Sequence, residues 1–318
     1  MNIVHLDVYT TIMDGLSMDQ LHDLGNLTIY NSTKPDQIIE RSKNADILIV
    51  NKVILSKEII EKLPNLKYIC VSATGYNNID IEYAASKDIP VSNVAGYSTN
   101  GVAQHVFAML LSVLNKVDYY SNEVDNGKWV QAKDFTFYDH SIFELSNMTM
   151  GIFGFGTIGQ KVGEIANAFG MKVIATHRHE KRDKKDWVEF VSFEELCKHS
   201  DVISLHTSLN ESTEGIINNK SIQLMKKKAI LINTARGGLI NETDLAENLK
   251  NNTIGYACLD VLSSEPPSPD NPLLNIKNCI ITPHIAWASY ESRQKLIDGL
   301  YQNIQSFVAE NKILNQVN

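Results

Sequence analysis

Apolar residues in this chain gather in short runs, separated by stretches whose apolar positions recur at helical spacing. Six β-like runs follow one another through the middle and C-terminal parts, at residues 148–153, 172–176, 201–206, 229–233, 255–260 and 279–282. Helix-like segments at 160–169, 192–198, 219–225 and 242–248 lie between them. This alternation predicts a parallel, doubly wound sheet covered on both faces, because parallel neighbours need a crossover and the crossovers pack as helices. The first part of the chain repeats the grammar, with runs at 2–7, 46–50, 68–72 and 90–91 and helical candidates at 36–42, 56–62 and 81–86. It predicts a second, smaller α/β domain. A long helix is expected at about 100–115, with Val102, Val106, Ala108, Met109, Leu110 and Val113 as its apolar positions. The amphipathic stretch 289–310 (Leu296, Ile297, Leu300, Ile304, Phe307) is expected to return and complete the first domain. The domains are placed at 1–97 plus 286–318 and at 98–285.

Gly154-Phe-Gly156-Thr-Ile-Gly159 follows the first strand of the second set and opens a helix-like run. In that setting each glycine has a task. Gly154 makes a turn of unusual φ/ψ, Gly156 lets the backbone approach a pyrophosphate, and Gly159 lets the helix pack closely on the sheet. A glycine-rich turn alone is a weak signal, but between a strand and a helix it predicts dinucleotide binding. The expected fold class is therefore α/β, a Rossmann cofactor domain inserted in a smaller flavodoxin-like substrate domain.

Composition narrows the partners. The 318 residues are 43% hydrophobic and 21% charged, with a formal net charge of -8 and the basic residues dispersed. Nucleic acid is not expected as a partner. No apolar run approaches the ~20 residues of a membrane span, and the first residues read as a buried strand rather than an export signal. Cys70, Cys197, Cys258 and Cys279 show no metal-ligand spacing, so no metal is expected, and a reduced, cytoplasmic protein is.

In an open parallel sheet, ligands bind beyond the carboxyl ends of the strands. Arg236 follows run 229–233, Glu265 follows 255–260 and His284 follows 279–282. One such residue would ordinarily be a surface side chain or a local ion pair. Three of them, at the edge where the glycine loop also lies, form a set suited to reducing a 2-oxo acid. Arg236 can clamp a carboxylate through two parallel bonds. His284 can donate a proton to the oxygen that gains charge as hydride arrives. Glu265 can orient the imidazole. Ala73-Thr74-Gly75, after run 68–72, reads either as an ordinary turn or as backbone N–H groups for the same carboxylate.

These residues stand in segments that closely resemble the D-isomer-specific 2-hydroxyacid dehydrogenases. The segments are Thr149-Met-Gly-Ile-Phe-Gly-Phe-Gly-Thr-Ile-Gly159, Leu231-Ile-Asn-Thr-Ala-Arg-Gly-Gly238, Leu259-Asp-Val-Leu-Ser-Ser-Glu-Pro-Pro267 and Thr282-Pro-His-Ile-Ala-Trp-Ala-Ser289. The resemblance implies that Arg236, Glu265 and His284 are catalytic and that Thr74 and Gly75 join the substrate site. It implies a cofactor site built from Gly154, Gly156, Thr157, Ile158, Gly159, His177, Arg178, Thr207, Ser208, Thr234, Ala235 and Asp260, and a homodimer. Ala73-Thr-Gly-Tyr-Asn-Asn78, Gly96-Tyr-Ser-Thr-Asn-Gly-Val-Ala-Gln-His105 and Asp270-Asn-Pro-Leu-Leu274 look most like the glycerate dehydrogenase (hydroxypyruvate reductase) branch, with a small 2-oxo or 2-hydroxy acid as substrate. D-lactate-type or phosphorylated-substrate enzymes are the alternative. A dinucleotide-sensing co-regulator is the alternative of another class, against which the intact arginine, glutamate and histidine speak. Trp287 reads either as a pocket wall or as a core or dimer-contact residue.

Cofactor choice turns on the second strand, which ends Ala175-Thr-His177-Arg178. An NADH-selective chain usually has an acidic residue there for the adenosine ribose, whereas an arginine accommodates a 2′-phosphate. With His177 and Arg178 in that place the expectation leans to NADPH, although Glu180 is close. Ser208 stands where the family more often has proline, and no function is assigned to it.

Overall fold

Twelve strands form two sheets, and every strand pair between named strands is parallel. The structure is a computed structural model and describes all of residues 1–318. It divides the chain into two units, Met1–Ser98 with Trp287–Asn318 and Thr99–Ala286.

The first unit holds β1 (Asn2–His5), β2 (Asn26–Ile29), β3 (Ile47–Val50), β4 (Tyr68–Val71) and β5 (Val91–Ser92) in the order β2-β1-β3-β4-β5. This is the flavodoxin-like order. Its central strands are continuous apolar runs because both faces are covered. Ile47, Ile49, Tyr68 and Cys70 point to one face, and Leu48, Val50, Ile69 and Val71 to the other. The helix Tyr290–Glu310 covers the first face with Leu296, Ile297, Leu300, Ile304 and Phe307, so the C-terminal segment does return to complete this core. Asn303 registers it, donating to the carbonyl of Asn93 at 2.9 Å and to Ser92 Oγ at 3.3 Å. Trp287 packs edge-on against Tyr97 in the same unit, ring centroids 6.5 Å apart.

The second unit holds β6 (Thr149–Phe153), β7 (Lys172–Thr176), β8 (Val188–Phe190), β9 (Val202–Leu205), β10 (Ile230–Asn233), β11 (Tyr256–Leu259) and β12 (Cys279–Ile281), ordered β12-β11-β10-β9-β6-β7-β8. From β8 to β12 this is the Rossmann winding with a seventh strand, and the chain reverses direction across the sheet between β6 and β9. The long helix Thr99–Asn115 buries Val102, Ala103, Val106, Phe107, Met109, Leu110, Val113 and Leu114 against it.

Two strands are additional to the runs expected from the sequence. In β2 only Leu27 is buried, and β8 is three residues long with no buried residue. Both are edge strands, which present one weak apolar contact instead of a run. The helix Val117–Asp125 is also additional to the expected elements; it buries none of its residues, although Val117, Tyr120 and Val124 recur at helical spacing.

Candidate active site

The glycine loop is built as its spacing demands. Gly154 has φ +98, and a Cβ there would lie 2.7 Å from the carbonyl of His206 and from the Thr207 nitrogen, so only glycine lets β6 turn beside β9. Gly159 allows the closest approach, since its Cβ would run into the carbonyl oxygen of Gly154. Gly156 differs from both. It caps the helix Thr157–Ala168 without a side-chain hydrogen bond, and a Cβ added to it meets nothing within 4 Å. Open space therefore faces the first-turn N–H groups that Thr157, Ile158 and Gly159 bring to the positive end of the helix, an arrangement that fits a pyrophosphate. Just past β10 the Thr234 hydroxyl is buried with no partner in the protein, a further polar atom suited to a bound cofactor.

Arg236 stands one turn beyond β10. Asn233 shapes that turn, accepting from the Ala235 N–H at 3.0 Å and donating to the Arg236 carbonyl at 2.8 Å. The guanidinium donates to the Ala235 carbonyl at 2.6 Å through Nη1. Gly237, next in sequence, lets this loop press on the backbone of Leu262, where any Cβ would overlap the Leu262 carbonyl. The Leu262 N–H in turn donates to Glu265 Oε1 at 3.1 Å, so the arginine loop and the glutamate loop lean on one another.

Glu265 Oε2 lies 2.6 Å from His284 Nδ1. The two residues are 19 apart in sequence and meet because β11 and β12 are neighbours, with Leu259 opposite Ile281. The pair is partly open to solvent, 25% exposed on the histidine and 34% on the glutamate. His284 has φ +55, in the left-handed region, which costs a non-glycine residue about 1–3 kcal/mol unless its surroundings hold it there. Asp260 holds it. That residue is 1% exposed, and its carbonyl accepts the His284 N–H at 2.9 Å. Its carboxylate accepts from the Ile285 and Ala286 N–H groups at 2.9 and 2.8 Å and from the Thr282 hydroxyl at 2.6 Å. His105 Nε2, on the helix Thr99–Asn115, closes the cluster at 3.0 Å from Thr282 Oγ1.

The expected residues thus fall into groups. Arg236, Glu265 and His284 are drawn together through Gly237 and Leu262 at the carboxyl edge of the seven-stranded sheet, where the glycine loop also lies. Thr74 and Gly75 belong to the other unit, where Thr74 Oγ1 donates to the Val94 carbonyl at 3.2 Å. Asp260 spends both oxygens on the His284 turn. Thr207 lies against Gly154, and the Ser208 carbonyl accepts the Thr213 hydroxyl at 2.8 Å, with no task visible for the Ser208 side chain. Sequence reasoning missed Asn233 and Gly237, for which Asn233-Thr-Ala-Arg-Gly237 was the available signal.

Past β7 the geometry corrects one reading. Arg178 is exposed, but a carboxylate does reach this strand end: Asp183 Oδ2 lies 2.6 Å from His177 Nε2. The Arg182 guanidinium, and then His177, hold the Asp183 carboxyl well below the usual range. The short helix Glu180–Asp183 carries Asp183 back onto the strand end, a reversal without an apolar signature. Nearby, burial pushes the His206 imidazole down to about 4, and Ser204 Oγ meets its Nε2 at 2.8 Å.

A Rossmann sheet with an open glycine cradle and a paired histidine and glutamate defines a nicotinamide-dependent oxidoreductase. The chain belongs to the D-isomer specific 2-hydroxyacid dehydrogenases, whose NAD binding domain matches residues 107–286. It is 41% identical to the hydroxypyruvate reductase of Blautia hydrogenotrophica, over 97% of each chain. With the glycerate dehydrogenase of Methylorubrum extorquens it shares 39% identity over 88% of each chain. An acyclic imino acid reductase (Bsp5), solved in complex with NADPH and D-Arg, matches with a TM-score of 0.88 and 36% identity over the whole of both chains.

Proposed function

We propose that this enzyme reduces a small 2-oxo acid, hydroxypyruvate or glyoxylate, to the D-2-hydroxy acid with NADPH, and catalyses the reverse oxidation. The observation that carries the reading is the 2.6 Å contact between Glu265 and His284 Nδ1, on the sheet edge that also bears Arg236 and the glycine cradle. The nicotinamide, when bound, supplies hydride to the carbonyl carbon. Arg236 grips the substrate carboxylate and polarises the carbonyl. Glu265 on Nδ1 fixes the orientation and tautomer of the imidazole, which gives the proton transfer to Nε2. That nitrogen protonates the oxygen as charge develops on it, and in oxidation takes the proton back. Asp260 keeps the histidine backbone in the conformation this task needs.

Exposed Arg178 supports the NADPH assignment, as a guanidinium fork suits a 2′-phosphate. Hydroxypyruvate is supported by the relatives named hydroxypyruvate reductase and glycerate dehydrogenase, and glyoxylate by relatives named glyoxylate reductase, 35% and 37% identical. The deciding experiment follows NADPH and NADH oxidation with a panel of 2-oxo acids that includes hydroxypyruvate, glyoxylate, pyruvate and phosphohydroxypyruvate. Turnover led by hydroxypyruvate or glyoxylate with NADPH is the expected result. Cofactor binding without turnover on any acid would favour a dinucleotide sensor instead.

A homodimer is part of the proposal. Segment 117–144 exposes Trp129 (53%), Val130 (89%), Phe135 (84%) and Tyr138 (73%), an apolar surface unusual for a monomer. Lys128 braces it from within, pairing with Glu123 at 2.9 Å and with Asp139. Light scattering should give twice the chain mass, and Val130→Asp with Phe135→Asp should halve it. No helix is long and apolar enough to cross a membrane, and the free cysteines, three of them buried, suit a reducing compartment such as the cytoplasm.

A further inference from the structure

The segment after β7 carries a charge arrangement that proton transfer does not use. His177 Nε2 meets Asp183 Oδ2 at 2.6 Å, and Arg182 reaches the same carboxylate twice, Nε to Oδ1 at 3.0 Å and Nη2 to Oδ2 at 2.6 Å. Both carboxylate oxygens are therefore engaged. The partners differ in freedom. The His177 ring is boxed by Phe155, Phe190 and His179, with centroids 6.3, 6.2 and 5.7 Å away. The side chains of His177 and Asp183 are 10% and 13% exposed, whereas Arg182 is 67% exposed. A solvated guanidinium thus rests on a fixed carboxylate. Position makes this consequential: Thr176, the last residue of β7, pairs with Phe153 and accepts the Gly154 N–H at 3.1 Å, one strand from the glycine loop. In this winding the second strand end receives the adenosine ribose.

We propose that Asp183 is a specificity-determining residue: its carboxylate retains Arg182 and sets a negative charge at the ribose, which limits the preference for NADPH over NADH. The inference rests on the cofactor reading above. A 2′-phosphate brings about two negative charges, which a carboxylate repels and a guanidinium fork attracts. To serve that phosphate, Arg182 must first release a two-bond ion pair. NADH asks nothing of Arg182, and its ribose hydroxyl can donate to Asp183. The cost of the cluster falls on NADPH alone. Asp183 also differs from an ordinary ribose acid, because it stands on the helix after the strand and arrives already paired with Arg182 and in contact with His177.

Dissociation constants for NADPH and NADH, measured by protein fluorescence on the full chain, test this. Asp183→Asn should tighten NADPH on the order of tenfold and leave NADH unchanged or weaker. Arg182→Gln should have the opposite sign, weakening NADPH while NADH is kept. Asp186→Asn, an equal charge change at an exposed site on the same segment, should leave the NADPH-to-NADH ratio where it was. If Asp183→Asn loses its folded melt, the sign of the Arg182→Gln ratio decides. A ratio unmoved in Asp183→Asn, or an Arg182→Gln that weakens both cofactors equally, would overturn the proposal. Failure of the parent to bind either cofactor would instead overturn the oxidoreductase reading beneath it, so the two failures are distinct.

Discussion

Replacing Gly156 by alanine separates folding from cofactor binding. An added Cβ there meets no heavy atom within 4 Å, and the residue's φ of -78 and ψ of -162 suit alanine. Replacing glycine at a compatible site adds roughly 0.4–1 kcal/mol of stability through the unfolded chain. Alanine is also a poorer helix N-cap than glycine by about 0.5–1 kcal/mol, so the two effects nearly cancel. The melting temperature should stay within about 3 °C of the parent. Cofactor binding should not survive as well. The methyl group projects into the space before the first turn of the helix Thr157–Ala168, and each charge-assisted bond lost there costs about 1.5–3 kcal/mol. One lost bond corresponds to a dissociation constant raised on the order of 10- to 100-fold. A fluorescence titration with NADPH beside a thermal melt measures both quantities. A variant that melts with the parent and binds NADPH within about twofold of it would refute the assignment of this cradle to the pyrophosphate. Gly159→Ala is the contrast: its methyl would overlap the Gly154 carbonyl and sit 3.1 Å from Ile152 Cγ2, so melt and binding should fall together.

Three further outcomes are expected. Arg236→Gln should raise KM and lower kcat together, with kcat/KM down on the order of 100-fold or more, and near-normal turnover in a folded variant would remove Arg236 from the site. His284→Gln should abolish most turnover while cofactor affinity persists, and Glu265→Gln, whose amide oxygen can still accept the Leu262 N–H, should lower kcat by roughly 10- to 100-fold at similar KM; stopped-flow single turnovers check both. Burial holds His5 below its ordinary pKa and His206 down to about 4, so as pH falls from about 6.5 the unfolded chain takes up protons that these residues refuse. Stability is full above about 6.5 and is lost between there and about 4, by on the order of 3 kcal/mol for His206; a melt series against pH should show this slope, shallower in His206→Gln.

The central strands were legible from sequence because they are buried on both faces, which forces the continuous apolar runs of Ile47–Val50 and Ile230–Asn233. So was the glycine loop, whose spacing follows from backbone sterics local to one turn. Arg236, Glu265 and His284 could be picked out because each follows its own strand by a few residues, and parallel winding brings all such positions to one edge. Edge strands β2 and β8 escaped, since a strand with one covered side leaves little apolar signal. What the tertiary structure alone decided is everything that depends on which strand lies beside which. The pairing of β11 with β12 lets the carboxylate of Asp260 reach the backbone of Ile285 and Ala286, and so holds His284 at a positive φ that no local preference dictates. Asp183 returns to His177 through a turn with no apolar period, and Gly237 is required by the backbone of Leu262, far from it in sequence. Local patterns encode burial and turn geometry. Contacts between distant polar groups are set by strand order and register, which emerge only when the sheet is assembled.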